Sequence, residues 1–152
     1  MIMTNLQVAF IAIGLFFLVY FVPYFIATQP DYGSMKVILS GKDFSVKVAD
    51  TKEERSKGLS GSSPLNDSEG MLFVFDDTGS HGFWMRDMSY SIDIIWISKD
   101  LKITHIEKSL SPETFPKVYY PEKPSLYVLE ISSGQAEYLK LNIGDGVIFS
   151  KK

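Results

Sequence analysis

GMLFVFDDTGSHGFWMRDMSYSIDIIWISKDLKITHIEK, residues 70–108, decides the fold. Short β-branched and aromatic runs alternate there with Asp-Asp-Thr-Gly, Ser-His-Gly and Ser-Lys-Asp breaks, the punctuation of strands joined by turns. Strands are predicted at 70–76, 82–88, 91–98 and 101–108. Upstream, MKVILS (35–40), a Gly41-Lys42-Asp43 turn and FSVKVA (44–49) read as a hairpin, with Phe44, Val46 and Val48 on one buried face. Downstream, SLYVLEIS (125–132) and GVIFS (146–150) continue the pattern. Two short helices interrupt it. In DTKEERSKG, Thr51 is the N-cap, Glu54 completes a capping box and Gly58 is the left-handed stop, and Ser133–Leu141 forms the second helix. The fold class is therefore mainly β, a β-rich α+β domain over 35–152, built as a small sandwich or barrel with two short helices.

The amino-terminal part is a different kind of sequence. Residues 1–30 contain no Asp, Glu, Lys or Arg, so all 15 basic and 18 acidic residues fall after them. Leu6 to Ala27 is apolar except for Gln7, and at about 1.5 Å per residue it spans the roughly 30 Å hydrocarbon core of a membrane. Tyr20 and Tyr24 fall near the distal interface, where amphipathic rings are favoured. A cleaved signal peptide needs a basic leading region and a small-x-small site, and neither MIMTN nor Phe25 with Ala27 supplies them. The reading is a tail (1–5), a single transmembrane anchor (6–27) that contacts lipid, a linker (28–34) and then the domain. Lys36, Lys42 and Lys47, taken literally, would hold the domain in the cytoplasm. Asp31 and Asp43 offset them, and the tiny amino tail favours translocation, so the domain is placed outside the cytoplasm.

Composition removes several function classes. A formal net charge of -3 gives no basic excess for gripping nucleic acid. Cysteine is absent, which removes disulfides, thiolate metal sites and a Cys nucleophile together. No nucleophile elbow, phosphate-binding glycine loop or Ser-His-Asp order is present, and no cofactor is expected.

Period-two alternation identifies the candidate residues. It places Asp93 on the face of Ile95 and Ile97, and Glu130 on the face of Leu126 and Val128. Carboxylates among apolar neighbours need partners, and the chain's two arginines, Arg55 and Arg86, are the natural ones because the guanidinium fork matches a carboxylate. Asp93 and Glu130 are also the only catalytic candidates, as a carboxylate pair for hydrolysing an envelope polysaccharide. Trp84 and Arg86 lie two positions apart on one predicted strand and so share a face. The connection from Ser109 to Pro124 carries four of the seven prolines together with Tyr119 and Tyr120. Long connections in compact domains are often functional, so Arg55, Trp84, Arg86, Tyr119 and Tyr120 form the candidate ligand site. A copper site would need His81 to converge with Met85 or Met88, whereas Asp-Asp-Thr-Gly before His81 is ordinary turn chemistry, and no metal site is assigned.

Glu54-Arg55 with Gly58-Leu59, GMLFVF (70–75), FWMRDM (83–88), IDIIWI (92–97), VLEI (128–131) with Gly134, and Ile143-Gly144-Asp145 together resemble the domain-of-unknown-function family 192. The resemblance spans nearly all of 36–150 and implies a small, often membrane-anchored or secreted prokaryotic protein whose activity is uncharacterised. The family pattern has Trp-Met-Lys-Asn-Thr and a Pro before Leu-Asp, where this chain has Arg86, Asp87, Met88 and Ser91. The resulting expectation is a single-pass, extracytoplasmic binding or accessory module for an envelope polysaccharide or protein. Paired-carboxylate hydrolysis is the first alternative and Met/His copper binding the second.

Overall fold

The hairpin forms where the alternation predicts it. β1 (Met35–Leu39) and β2 (Lys42–Ala49) pair antiparallel across Ser40 and Gly41, both at positive φ. The computed structural model describes residues 35–151, so the anchor, tail and linker expected over 1–34 lie outside the described residues. Within the described residues no helix is long and apolar enough to cross a membrane.

After β2 the chain turns through α1 (Lys52–Lys57). Its capping box is complete: the Glu54 amide donates to Thr51 Oγ1 and the Thr51 amide donates to Glu54 Oε2, each at 3.2 Å. That arrangement satisfies amides which the first turn of a helix cannot pair by itself. Gly58, at φ 50, ends the helix. β3 (Glu69–Gly79) then returns parallel to β2, and β4 (Ile92–Ile97), β5 (Ile103–Leu110) and β6 (Ser125–Ser132) follow. A four-residue α2 (Gln135–Tyr138), shorter than predicted, precedes β7 (Val147–Lys151).

These strands form one curved sheet in the order β5-β4-β6-β3-β2-β1-β7. Its two edges are stitched together near their ends. Ile103 N–H donates to Asp145 O at 3.0 Å, Gly144 N–H to Ile103 O at 2.8 Å and Val147 N–H to Leu101 O at 2.9 Å. The architecture is thus a half-barrel, and of the two forms predicted the sandwich is replaced by a single sheet closing on itself, which leaves fewer unpaired strand edges.

Two apolar clusters result. One joins residues from every strand, among them Val37, Phe44, Leu72, Ile95, Ile103, Leu129 and Val147, so it fills the concave interior where the two edges meet. The other lies on the outer face and contains Phe73, Phe83, Met85, Ile94, Trp96 and Val128, covered by loops. Covered on both faces, β4 is buried at all six positions. Trp96, fully buried, satisfies its indole by donating to the His81 carbonyl at 2.8 Å.

The segment 82–88 departs from expectation. FWMRDM is not a strand: Phe83 makes an isolated antiparallel bridge with Tyr119, and the chain then turns, with Asp87 at φ 55. Its aromatic and β-prone composition comes from packing side chains onto the outer sheet face, which also favours these residue types. The Ser109–Pro124 connection folds beside it and includes a short 3-10 helix, Pro112–Thr114.

Candidate functional site

Glu130 sits on β6 opposite Ile94 of β4 and Met71 of β3, on the outer face. It is 5% exposed, and its Oε2 has no hydrogen-bond partner among the described residues. Burial pushes its carboxyl up to about 8. The carboxyl is therefore mostly protonated at neutral pH, which is how a buried acid avoids the cost of an unpaired charge.

Above Glu130 opens a cavity of about 270 Å³. Phe73 and Phe75 of β3 form part of its base, Arg55 and Lys52 of α1 one side, and Phe83, Trp84 and Arg86 the other. The local sequence explains the space. Gly58 stops α1 directly over Phe73, where a Cβ would lie 3.3 Å from the ring. Gly82 lets the 82–88 segment pass under Tyr120, since a Cβ there would fall 2.5 Å from the tyrosine ring. A Cβ at Gly58 would push on the Phe73 ring that lines the cavity, and one at Gly82 would push the 82–88 segment away from Tyr120 and Val118.

Arg86 is the cation of this site. Its guanidinium lies 4.9 Å from the Trp84 ring centroid, a cation–π arrangement. Its Nε is buried without a hydrogen-bond partner among the described residues, and the nearby Asp87 carboxylate stays 3.8 Å away. The backbone beneath it is anchored, because Ser60 Oγ donates to the Arg86 carbonyl at 2.9 Å and Gly61 N–H to the Asp87 carbonyl at 3.0 Å. Trp84 is 45% exposed and meets Phe115 of the proline-rich connection edge-to-face at 6.2 Å. Phe83 turns inward and Trp84 outward.

Arg55 has a different task. Its Nη1 donates to the Asp50 carbonyl and, at 2.8 Å, to the Val74 carbonyl, while the guanidinium lies 5.2 Å from the Phe75 ring centroid. An exposed contact to Asp76 at 3.4 Å adds little. Arg55 ties α1 to β3 and lines the cavity with what remains of its surface.

The pairing of acids with arginines is not what the structure contains. Asp93, fully buried, accepts three backbone N–H bonds: Ser109 at 2.7 Å and Gly134 at 3.2 Å on Oδ1, and Ala136 at 2.7 Å on Oδ2. Those donors come from distant stretches of chain, the end of β5 and the start of α2, and they replace the cation that side-chain counting demanded. Glu130 has no arginine against it, burial being the one cause of its shift. The face assignments hold, with consequences for chemistry. Asp93 lies opposite Ile131 with the inner-cluster residues, and Glu130 lies on the outer face. Two carboxyls on opposite faces of one sheet do not flank a single glycosidic bond, so the geometry needed for paired-carboxylate hydrolysis is missing.

The remaining candidates separate. Tyr119 is buried, its backbone exchanging hydrogen bonds with Phe83 at 2.8 and 2.9 Å. Tyr120 is exposed beside Gly82. Neither lines the Glu130 cavity. The His81 ring stacks on Phe75 at 3.5 Å with its Nε2 3.1 Å from the Asp77 carbonyl, and Met85 is buried in the outer cluster, so the residues of the copper alternative are engaged in packing. Sequence reasoning missed Lys52, Ser56 and Lys57, which extend the cavity mouth into a shallow groove shared with Arg86. The four-residue spacing of Lys52 and Ser56 on one helix face was the available signal.

Comparison with known proteins places the fold among uncharacterised relatives. No curated protein matches. Among solved structures, a protein of unknown function from Novosphingobium aromaticivorans DSM 12444 is 32% identical with a TM-score of 0.70, over 79% of this chain and 89% of its own. A protein described as a putative transcription regulator from Sinorhizobium meliloti 1021 is 26% identical with a TM-score of 0.71, over 80% of this chain and 97% of its own. Residues 35–149 match the family DUF192, described as Uncharacterized ACR, and with that match over most of its length the chain belongs to the DUF192 family.

Proposed function

We propose that this chain is a membrane-tethered binding module of the cell envelope, whose ligand occupies the cavity between α1, the 82–88 segment and β6. One observation carries the reading. Glu130 Oε2 and Arg86 Nε are both buried, both lack hydrogen-bond partners among the described residues, and both belong to residues lining the same cavity. Buried polar atoms are nearly always paired in folded proteins, and convergent unpaired ones in a concave site mark where a ligand completes the bonding. The exposed Trp84 and Phe115 rings beside them offer an apolar wall for a sugar ring or a peptide side chain. The uncharged apolar stretch over 6–27 supports tethering, and an extracytoplasmic domain would face envelope polysaccharide or protein. A regulator-like role through nucleic acid has less support, since the net charge of -3 supplies no backbone grip.

Trp84 provides the test, because the chain's other tryptophan, Trp96, is buried. Envelope glycan and peptide fragments added to the full chain in detergent should change tryptophan fluorescence. The Trp84→Phe variant should lose that change. An equal response from the variant would move the ligand away from this cavity.

A further inference from the structure

The cavity's chemistry narrows the ligand further, resting on the binding reading above. We propose that it takes a small organic oxyanion whose charged group lies on the Arg86 guanidinium and whose second oxygen accepts a hydrogen bond from the Glu130 carboxyl, so that binding requires Glu130 to keep its proton.

Basic groups from two elements line the cavity beside Glu130, with Asp76 next to Arg55 and Asp87 next to Arg86. α1 contributes Lys52, Arg55 and Lys57, the 82–88 segment contributes Arg86, and β3 contributes the uncharged Phe73 and Phe75. Tyr90 also senses Glu130, its hydroxyl being raised chiefly by burial and further by that carboxyl's charge, while it hydrogen-bonds Ser62 Oγ at 2.7 Å. The mouth thus sets four basic groups against the carboxylates of Glu53, Asp76 and Asp87, an excess of one cation, and the floor is an acid. Were Arg86 pressed against Glu130, the carboxyl would ionise and the two would cancel. Instead no cation lowers it, and it stands at about 8 through burial alone, while both residues line the same cavity. An unpaired carboxylic acid offers one donated hydrogen bond, and Arg86 Nε offers another. A ligand with a negative group and an adjacent oxygen satisfies both. A cationic ligand would gain only the exposed carboxylates at the rim and would face the Arg86 guanidinium beside Glu130. At about 270 Å³ the cavity lies at the small end of ligand sites, the size of a single sugar acid or amino acid, free or as the end unit of a glycan or peptide fragment.

Proton linkage gives a signature that simple electrostatic attraction lacks. Once Glu130 ionises, its charge opposes the anion, and affinity should fall about tenfold per pH unit above its titration point. Binding in turn should raise that point, because linkage is reciprocal. The probes are D-glucuronate, inorganic phosphate and uncharged D-glucose, added to the full chain in detergent between about pH 6 and about pH 10, with calorimetry for affinity and carboxyl ¹³C NMR for Glu130. At least one anion should bind at least about tenfold more tightly than glucose, lose affinity above the Glu130 transition and shift that transition upward. Tighter binding of glucuronate would assign a carboxylate ligand, and tighter binding of phosphate a phosphorylated one. Glu130→Gln, which still donates a hydrogen bond but does not titrate, should bind near neutral pH and lose the alkaline fall. Arg86→Gln should weaken the anions and narrow their margin over glucose. Affinity that is flat or rises with pH, or the absence of binding by both anions, overturns the proposal. Glucose binding in the cavity as tightly as the anions overturns it too, while leaving the cavity itself as the site; shifts confined to other parts of the domain would sink both.

Discussion

Glu130→Gln should change how stability depends on pH more than any other single substitution in this domain. The carboxyl titrates at about 4.5 in an unfolded chain and at about 8 in the fold. A raised folded value means that the neutral acid is favoured by folding. Its contribution is complete below 4.5 and is lost progressively as pH climbs to about 8, beyond which the curve levels. At about 1.4 kcal/mol per unit the full loss approaches about 5 kcal/mol, and less wherever cavity water reaches the carboxylate. That is a large part of the stability of a small domain. A glutamine side chain in its place would keep the shape and a donor without the titration. Urea unfolding of the full chain in mild detergent, followed through the buried Trp96 at a series of pH values, supplies the assay. Wild type and variant should be similar near pH 4, and the variant should become the more stable by several kcal/mol near pH 9, on the scale of about 1.4 kcal/mol per unit. Parallel curves across that range would refute the buried, uncharged Glu130 on which the site depends.

Four other perturbations have defined outcomes. Asp93→Asn should lower stability by about 2–4 kcal/mol, because an amide cannot accept all three backbone N–H bonds, and an unchanged urea midpoint would refute this role. Gly82→Ala should displace Tyr120 and Val118, whose side chains lie 2.5 and 2.8 Å from the new Cβ, costing about 1–3 kcal/mol; undisturbed Tyr120 resonances would count against the packing. Residues 31–152 alone should be soluble and fold cooperatively, since both apolar clusters lie within the described domain; aggregation where the full chain in detergent is folded would make the amino-terminal segment part of the core. Protease added to intact spheroplasts should remove the domain if it lies outside the cytoplasm, and protection until lysis would reverse that orientation.

Local chemistry made much of this fold legible. Thr51, Glu54 and Gly58 form the predicted helix start and stop, because capping is decided within one turn of chain. The faces of Asp93 and Glu130 follow from strand periodicity, which tertiary packing does not alter. What the sequence hid depends on long-range choices. The parallel return of β3 beside β2, and the insertion of β6 between β4 and β3, arise from pairings between distant segments. The predicted arginine partners failed because backbone amides can solvate a carboxylate as well as a cation can, and no residue letter records where an amide points. FWMRDM read as a strand because residues that cover a sheet resemble residues that form one. Even so, that segment and the proline-rich connection do lie side by side, joined through the Phe83–Tyr119 bridge and the Trp84–Phe115 contact.

Ligand binding over Glu130 has a rival within the domain, a hollow of about 420 Å³ lined by Ser45, Ser62, Pro64, Leu65 and Gly70. An NMR map of the full chain in detergent, titrated with envelope sugar acids and peptides, tests the choice directly. Shifts concentrated at Phe83, Trp84, Arg86 and Glu130 are the expected result. Shifts gathered instead around Ser45, Leu65 and Gly70, with Glu130 unmoved, would contradict it.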